Sequence, residues 1–580
     1  MFYDILIISI IFNRGDKNMK FKDYKYVRPN IEEICKVTEE ITEIIKNAKE
    51  TNIIVDAIKR LNKMNSTYST LSNLAFIRNS IDTTDEFYEK EIDYLNEEGV
   101  KASSKANELT KVLVNHPLRK ELEEIYGSYW FKTMELSLKC FDDCIMEDLV
   151  TESKLSIQYD KLMASAKIEF DGKINNLAQM RVYTSSVDRN TRIEAFKKVN
   201  EFLLQNSDEI DDIYDKLVKT RHNIALKLGY ENYIDLGYAK MGRTDYDAKM
   251  VDSYRKQVLE CVVPVAHNIF KENAKRIGVE DFKYYDTSLM FLDGNPTPKG
   301  SKDELVKQAL KMYTEMSPET KEFFEFMTEH ELLDLESKPG KANGGYCTYI
   351  PDYTSPFIFA NFNGTSGDVD VLTHEAGHAL MAYCSKDTIE NPDLLWPTSE
   401  ACEIHSMSME FFAYPWMENF FKEDTKKYYV YHMSGAITFI PYGVCVDHFQ
   451  HLVYANPNAT PAERRQMWSD LEKMYTPWRN MEGLEAYEQG MLWFQQGHIF
   501  SSPFYYIDYT LAQVCALEFY LDSLEDKEDA FNRYLQLCKL GGSKSFLELI
   551  AEVGINNPFI DGSIKKIIDK LLPVIDSIKL

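Results

Sequence analysis

The stretch Val371-Leu372-Thr373-His374-Glu375-Ala376-Gly377-His378-Ala379-Leu380 constrains this chain more than any other. Read as a helix, it places His374 and His378 one turn apart, so both imidazoles project from the same face. Two nitrogen donors at that spacing can hold one zinc ion, whose Zn–N bonds are about 2.0–2.1 Å. Glu375 is rotated by roughly 100° from His374. It therefore stands beside the metal, where a base acting on metal-bound water is needed, and not as a third ligand. Gly377 has no side chain, so backbone or another helix can approach closely there, despite a helix cost of about 1 kcal/mol. A buried helix with two hydrogen-bonded histidines would carry the same letters. The helix-forming flanks favour the metal site.

At 580 residues the chain can bury two or three lobes' worth of apolar surface. A hydrophobic content of 44% with 27% charged residues is that of a globular protein and argues against disorder. The net charge of −26 disfavours a nucleic-acid partner, which would call for basic patches. The 10 cysteines are scattered with no CxxC pair, Cys140 and Cys144 being the closest two, and read as free thiols in a reducing compartment. Phe2 to Phe12 is an apolar run interrupted by Asp4 and Ser9, too short to span a bilayer and without the basic start of a signal peptide. Residues 1–18 are expected to be a dispensable extension ahead of Met19-Lys20-Phe21-Lys22, which reads as an ordinary second start. No other segment approaches 18 uninterrupted apolar residues, so a cytoplasmic protein with no membrane partner is expected.

From about Ile31 to Leu228 the pattern is helical, with apolar residues at three and four, as in Ile34, Val37, Ile41, Ile44 and Ile45, then Ile54, Ile58 and Leu61. Turn and cap signals fall at Asn65-Ser66-Thr67, Asp82-Thr83-Thr84-Asp85, His116-Pro117 and Asp188-Arg189-Asn190. Asp171-Gly172 between short apolar runs predicts a hairpin. Helices continue on either side of Ser317-Pro318, the proline suiting a first helical turn, and stop near Pro339-Gly340. Gly344 to Ile350 and Pro356 to Phe362 are aromatic and extended, and predict strands of a small sheet just upstream of the metal helix. Gly364 to Asp368 reads as a turn ending in a helix cap. Helices then run to the C-terminus.

A hydrolytic zinc usually takes three protein ligands and leaves the fourth position to water. Glu400, Glu403 and Glu410 lie on the next helical run, Thr398 to Phe412, and spacing alone does not choose between Glu400 and Glu403. The run is otherwise poor in charge, so these acids are expected to be used. Asp447-His448 with His451 forms a competing cluster, although helical histidine pairs are more often structural.

The run from Phe357 through His378, followed by Glu403-Ile404-His405-Ser406 and Glu410, resembles the zinc oligopeptidases, the family of thimet oligopeptidase and oligoendopeptidase F, with the Pz-peptidases nearest. In the family pattern a Glu followed three residues later by Ser and seven later by Glu marks the third ligand. That implies Glu403, 29 residues after His374. A second family signature, Gly-His followed by Tyr-rich sequence, matches Gly497-His498 and Phe504-Tyr505-Tyr506-Ile507-Asp508-Tyr509. The resemblance implies that His498, Tyr506 and Tyr509 bind substrate and stabilise the oxyanion. Where thimet oligopeptidase has a further Tyr five residues past its His, this chain has Pro503.

What the resemblance implies is a mainly α, zincin-type helical oligopeptidase, with two lobes around a deep substrate channel and a small β-sheet beside the metal helix. An N-terminal helical lobe at 19–200 and a zinc peptidase domain at 201–580 follow from it. The implied activity is zinc-dependent endopeptidase action on short unstructured peptides, with one Zn2+ per chain held by His374, His378 and Glu403 and with Glu375 as base. Tyr505 is expected to point away from the face shared by Tyr506 and Tyr509. One of the two extended segments is expected to pair with the peptide backbone as an added strand. A zinc carboxypeptidase of similar helical fold is the alternative.

Overall fold

The computed structural model describes residues 19–578. The expected dispensable extension at 1–18 lies outside them. Nearly all regular structure is helical, and two small sheets interrupt it. The first is a hairpin of β1 (Ile168–Phe170) and β2 (Lys173–Asn175), in which Asp171 and Gly172 both take positive φ, as the Asp-Gly signal requires. The second contains β3 (Leu333–Glu336), β4 (Tyr346–Ile350) and β5 (Ser355–Phe362) in the order β3-β5-β4. Here β3 runs parallel to β5 and β4 runs antiparallel to it, pairing Tyr346 with Phe359 and Ile350 with Ser355. The helices that matter below are α1 (Ile31–Asn47), α2 (Thr51–Ile81), α3 (Gly367–Ser385), α4 (Ser399–Phe412), α5 (Thr425–Ala455), α6 (Tyr506–Glu525) and α7 (Lys527–Leu540).

The described chain divides into two compact units in alternating segments. Unit 1 holds the residues up to Leu138, Thr297–Glu423 and Asp522–Ile555; unit 2 holds Lys139–Pro296, Asp424–Leu521 and the residues from Asn556. The linear division at 19–200 and 201–580 is a different kind of partition, and residue 200 itself lies inside the helix Arg189–Gln205.

Unit 1 contains both the second sheet and α3, which packs against β5. Its N-terminal helices bury the periodic residues Val37, Ile41 and Ile45 of α1 against Ile54 and Ile58 of α2, in one core with Leu109, Trp130 and Phe131. Ile44 falls off that face and is 40% exposed. The Asn65-Ser66-Thr67 turn signal is not realised: α2 runs straight through it, and the Ser66 carbonyl accepts from the Thr70 hydroxyl at 2.8 Å within the helix. Asp85, Asp188 and Ser317 cap helices as their positions predict. The helix expected to run on to Pro339-Gly340 ends at Glu329, and the residues after it form β3 instead. All 10 cysteines are free thiols. No helix among the described residues is long and apolar enough to cross a membrane.

Candidate active site

The histidine helix α3 is buried on nearly every side, from Val369 through Ala382, which is why its sequence is apolar all round the HExxH letters. Asp368 sits inside the first turn and does not form the N-cap: its carboxylate accepts from the N–H groups of Asn363 and Gly364, both at 2.8 Å, and ties down the entering turn. Gly377 faces α4 so closely that a Cβ would lie 2.4 Å from the His405 carbonyl oxygen and 2.7 Å from the Ser406 Cα. The same His405 carbonyl accepts from the Tyr534 hydroxyl of α7 at 2.8 Å. Glycine thus lets two helix backbones touch at one fixed point, and that contact sets how far the histidines of α3 stand from the carboxylates of α4.

His374, His378 and Glu403 converge, each offering one donor atom within 4.8 Å of the others; among the described residues they are the group able to hold a metal. Glu403 Oε2 lies 3.2 Å from His374 Nε2 and 3.5 Å from His378 Nε2. Donors about 2.1 Å from a tetrahedral ion stand about 3.4 Å apart, so the set has the spacing of a zinc cage. Glu400, one turn earlier on α4 and also buried, is outside the group. The Ser406 hydroxyl donates to Glu403 Oε2 at 2.9 Å and orients it.

His374 Nδ1 donates to Glu410 Oε1 at 2.7 Å, which leaves Nε2 as the ring nitrogen that faces the site. Burial opposes a charged His374, but the carboxylates of Glu403 and Glu410 overcome it and hold the imidazole well above its ordinary range. Burial would likewise raise Glu403, yet His378 and His374 hold it well below the usual carboxylate range. Three carboxylates, Glu375, Glu403 and Glu410, thus face the two imidazoles, a donor set that suits a divalent cation. Glu375 is 6% exposed, and its Oε2 is buried without a hydrogen-bond partner. Burial pushes its carboxyl up, the neighbouring histidines pull it down, and Glu403 and Glu410 push it up again. A Cβ on Gly345, just ahead of β4, would lie 3.5 Å from Glu375 Oε1.

The sheet decides which extended segment has an edge to offer. β5 is hydrogen-bonded on both sides, whereas among the described residues β4 has no strand on its outer side. The Tyr349 carbonyl accepts from Asn73 Nδ2 at 2.7 Å and points away from β5. The antiparallel alternation gives Cys347 the same direction.

His498, Tyr505, Tyr506 and Tyr509 belong to unit 2 and form a cluster of half-buried rings. The His498 ring lies 5.6, 5.3 and 5.9 Å from those of Tyr505, Tyr506 and Tyr509. Tyr505 therefore does not point elsewhere: it precedes α6, and a left-handed turn at Phe504 returns it to the cluster. Gln496 pairs with His498 Nδ1 at 3.0 Å and also bonds Tyr506, whose phenol burial pushes up to about 12.

The rival cluster brings His451 Nε2 to 3.5 Å from Asp447 Oδ2 but is not among the groups of described residues able to hold a metal. His451 Nε2 is taken by the Tyr238 hydroxyl at 3.0 Å, His448 Nδ1 by the Tyr475 hydroxyl at 2.9 Å, and Asp447 by Arg255 at 2.8 Å. Burial pushes both imidazoles down to about 4. Ligand spacing does not yield the role of Glu410 toward His374. The available signal is its place two turns beyond Glu403, on the same face of α4.

Residues 182–567 match peptidase family M3, and residues 21–141 match the peptidase M3 N-terminal domain. The chain belongs to peptidase family M3. It is a metallo-oligopeptidase of that family, and the carboxypeptidase alternative finds no support. A solved structure of Pz peptidase A with an inhibitor is 47% identical, covers 96% of this chain and 99% of its own, and superposes with a TM-score of 0.93. The oligoendopeptidase F homolog of Borreliella burgdorferi is 22% identical, over 94% of this chain and 96% of its own. Oligopeptidase PepF of Bacillus subtilis is 21% identical over 63% of this chain; the match spans about half of that relative, 49%.

Proposed function

We propose that this M3 peptidase is a cytoplasmic, zinc-dependent endopeptidase that cleaves short unstructured peptides and excludes folded proteins. The observation that carries the reading is the convergence of His374, His378 and Glu403 at tetrahedral spacing, with an unpartnered Glu375 oxygen beside them. When bound, zinc would polarise the scissile carbonyl and acidify a water. Glu375 takes the proton of the attacking water and returns it to the leaving amine. Glu410 holds the His374 tautomer, and Ser406 holds the Glu403 carboxylate.

The peptide lies along β4, pairing with the outward backbone groups of Cys347, so that main-chain bonds supply affinity and side-chain identity matters little. His498, Tyr506 and Tyr509 donate to the oxyanion and to substrate carbonyls; a phenol adds a donor without adding a charge.

Metal analysis of the purified protein, together with cleavage of a quenched fluorescent peptide with and without chelator, tests the reading. About one zinc per chain and chelator-sensitive cleavage that persists with an amidated C-terminus are expected. Cleavage that requires a free C-terminal carboxylate would exclude the endopeptidase assignment. Tyr506→Phe and Tyr509→Phe should each lower kcat by about a hundredfold with zinc content and Tm intact; near-normal kcat in both removes the donor role.

A further inference from the structure

Phe504 stands immediately ahead of the tyrosine cluster with φ at 65°, a left-handed conformation that a bulky aromatic residue adopts only when its surroundings impose it. Three contacts impose it, all within unit 2. The Phe504 N–H donates to Gln450 Oε1 at 2.9 Å, and its carbonyl accepts from Arg243 Nη2 at 2.6 Å. Its ring is fully buried among Tyr238, His451 and Tyr454, and lies so close to Gly237 that a Cβ there would be 2.4 Å from Phe504 Cδ2. The same Arg243 nitrogen donates to Asp508 Oδ1 at 2.7 Å, and the Tyr246 hydroxyl reaches that oxygen at 3.4 Å. Arg243 and Asp508 are both sealed from solvent.

One guanidinium nitrogen therefore grips the backbone just before Tyr505 and the first turn of α6 between Tyr506 and Tyr509. A helix pinned at both ends of its first turn keeps neither rotational nor translational freedom there. Tyr506 and Tyr509 are on that turn, so the direction of their hydroxyls is set by Arg243. Stability alone accounts poorly for the arrangement, because a buried ion pair is commonly no better for folding than apolar packing of equal volume. Its constraints also fall on Phe504 and Asp508, which bracket Tyr505 and Tyr506 and immediately precede Tyr509.

We propose that Arg243, with Gln450, is a positioning device for the catalytic tyrosines, fixing Phe504 and Asp508 so that the Tyr506 and Tyr509 hydroxyls are aimed before substrate arrives. The inference rests on the reading of those tyrosines as oxyanion donors. Neither Arg243 nor Gln450 touches substrate in it; both act through the backbone of 504–508.

The test uses the full chain with its metal bound. Gln450→Met removes the acceptor for the Phe504 N–H at nearly constant volume, and Arg243→Lys keeps the charge but loses the planar donor geometry. Each should lower kcat by about tenfold to a hundredfold, as expected for a small misplacement of a catalytic group, while KM and zinc content hold. Each should also weaken a phosphinic peptide, a mimic of the tetrahedral oxyanion, by the same factor and leave the affinity for a product peptide unchanged. Introduced into the Tyr506→Phe/Tyr509→Phe double variant, neither should lower kcat further. An undiminished loss in that background, or equal weakening of product and phosphinic peptide, would make the clamp merely structural and overturn the inference. Should Arg243→Lys prove too unstable, Gln450→Met decides alone. A Tyr506→Phe/Tyr509→Phe variant with normal kcat would instead overturn the donor reading beneath it.

Discussion

Two buried constellations of histidine and carboxylate sit in this chain, one in each unit, and they are made of the same residue types. In unit 1, His374 and His378 turn their Nε2 atoms to a single Glu403 oxygen, and a second carboxylate backs His374. In unit 2, Asp447 is met by the Arg255 guanidinium, and His448 and His451 are each engaged by a tyrosine hydroxyl. The first site gathers negative charge and leaves the Glu375 Oε2 and His378 Nδ1 atoms buried without partners. The second brings its own cation. A protein that supplies an arginine has already neutralised the field a metal would occupy, so the presence of that side-chain cation separates a structural cluster from a metal cage better than the His spacing does.

The largest expected effect sets the two clusters directly against each other. Glu403→Gln should strip the metal and with it essentially all peptidase activity. Asp447→Asn should leave metal content unchanged, while breaking a buried ion pair at a cost of about 3–5 kcal/mol of stability. Elemental analysis and thermal unfolding of the two variants check this; loss of metal from Asp447→Asn would break the comparison. Next in size is Glu375→Gln, which should keep its zinc and lose about 10²–10⁴ in kcat, the range of a general base. If that variant also loses zinc, Glu375 belongs among the ligands. Glu410→Gln is expected to be milder: the His374 tautomer is held less firmly, and metal affinity or activity should fall about 10–100-fold, as read from competition with a fluorescent chelator.

The smallest effect belongs to unit 2 and concerns pH. Burial pushes Glu472 up to about 7, with Arg479 and Trp468 pulling the other way. Between the ordinary carboxylate pKa near 4.5 and that value, the folded chain keeps a proton the unfolded chain has lost. This group's contribution therefore becomes less favourable as pH rises through the window, by about 1.4 kcal/mol for each pH step of one. Glu472→Gln removes the titration, so its Tm should gain on that of the natural protein as pH rises from about 5 to about 7.5. Parallel Tm curves would show that Glu472 is ionised throughout.

Spacing along one helix is the most legible feature. HExxH carries its meaning within a single turn, and Gly377 announces a close approach, although only the folded chain names the His405–Ser406 backbone as what approaches. Glu400 and Glu403 are not separable by sequence position because both are buried on α4 and the choice depends on where α3 crosses it. Leu333 to Glu336 does not read as a strand since four residues after a helix hold too little alternation to register; its pairing with β5 is parallel and comes from tertiary context. Tyr505 defeats a helical extrapolation because the helix starts one residue later, after a left-handed phenylalanine that no local signal marks. The alternation of the chain between two units is likewise non-local.

The outer side of β4, where no described strand pairs, would also be a liability. If its outward backbone groups take a peptide as proposed, they would take any extended chain as well, including a neighbouring copy of this protein or its own unfolding segments. Two circumstances limit that danger: the strand is only five residues long, and Asn73 already occupies the Tyr349 carbonyl near its end. On the proposed reading, what is left would be a template for a short ligand and too short to seed a growing sheet. Main-chain methylation of a peptide at the paired positions would erase its affinity while leaving every side chain in place, which offers a route to ligands that tell backbone capture from side-chain recognition.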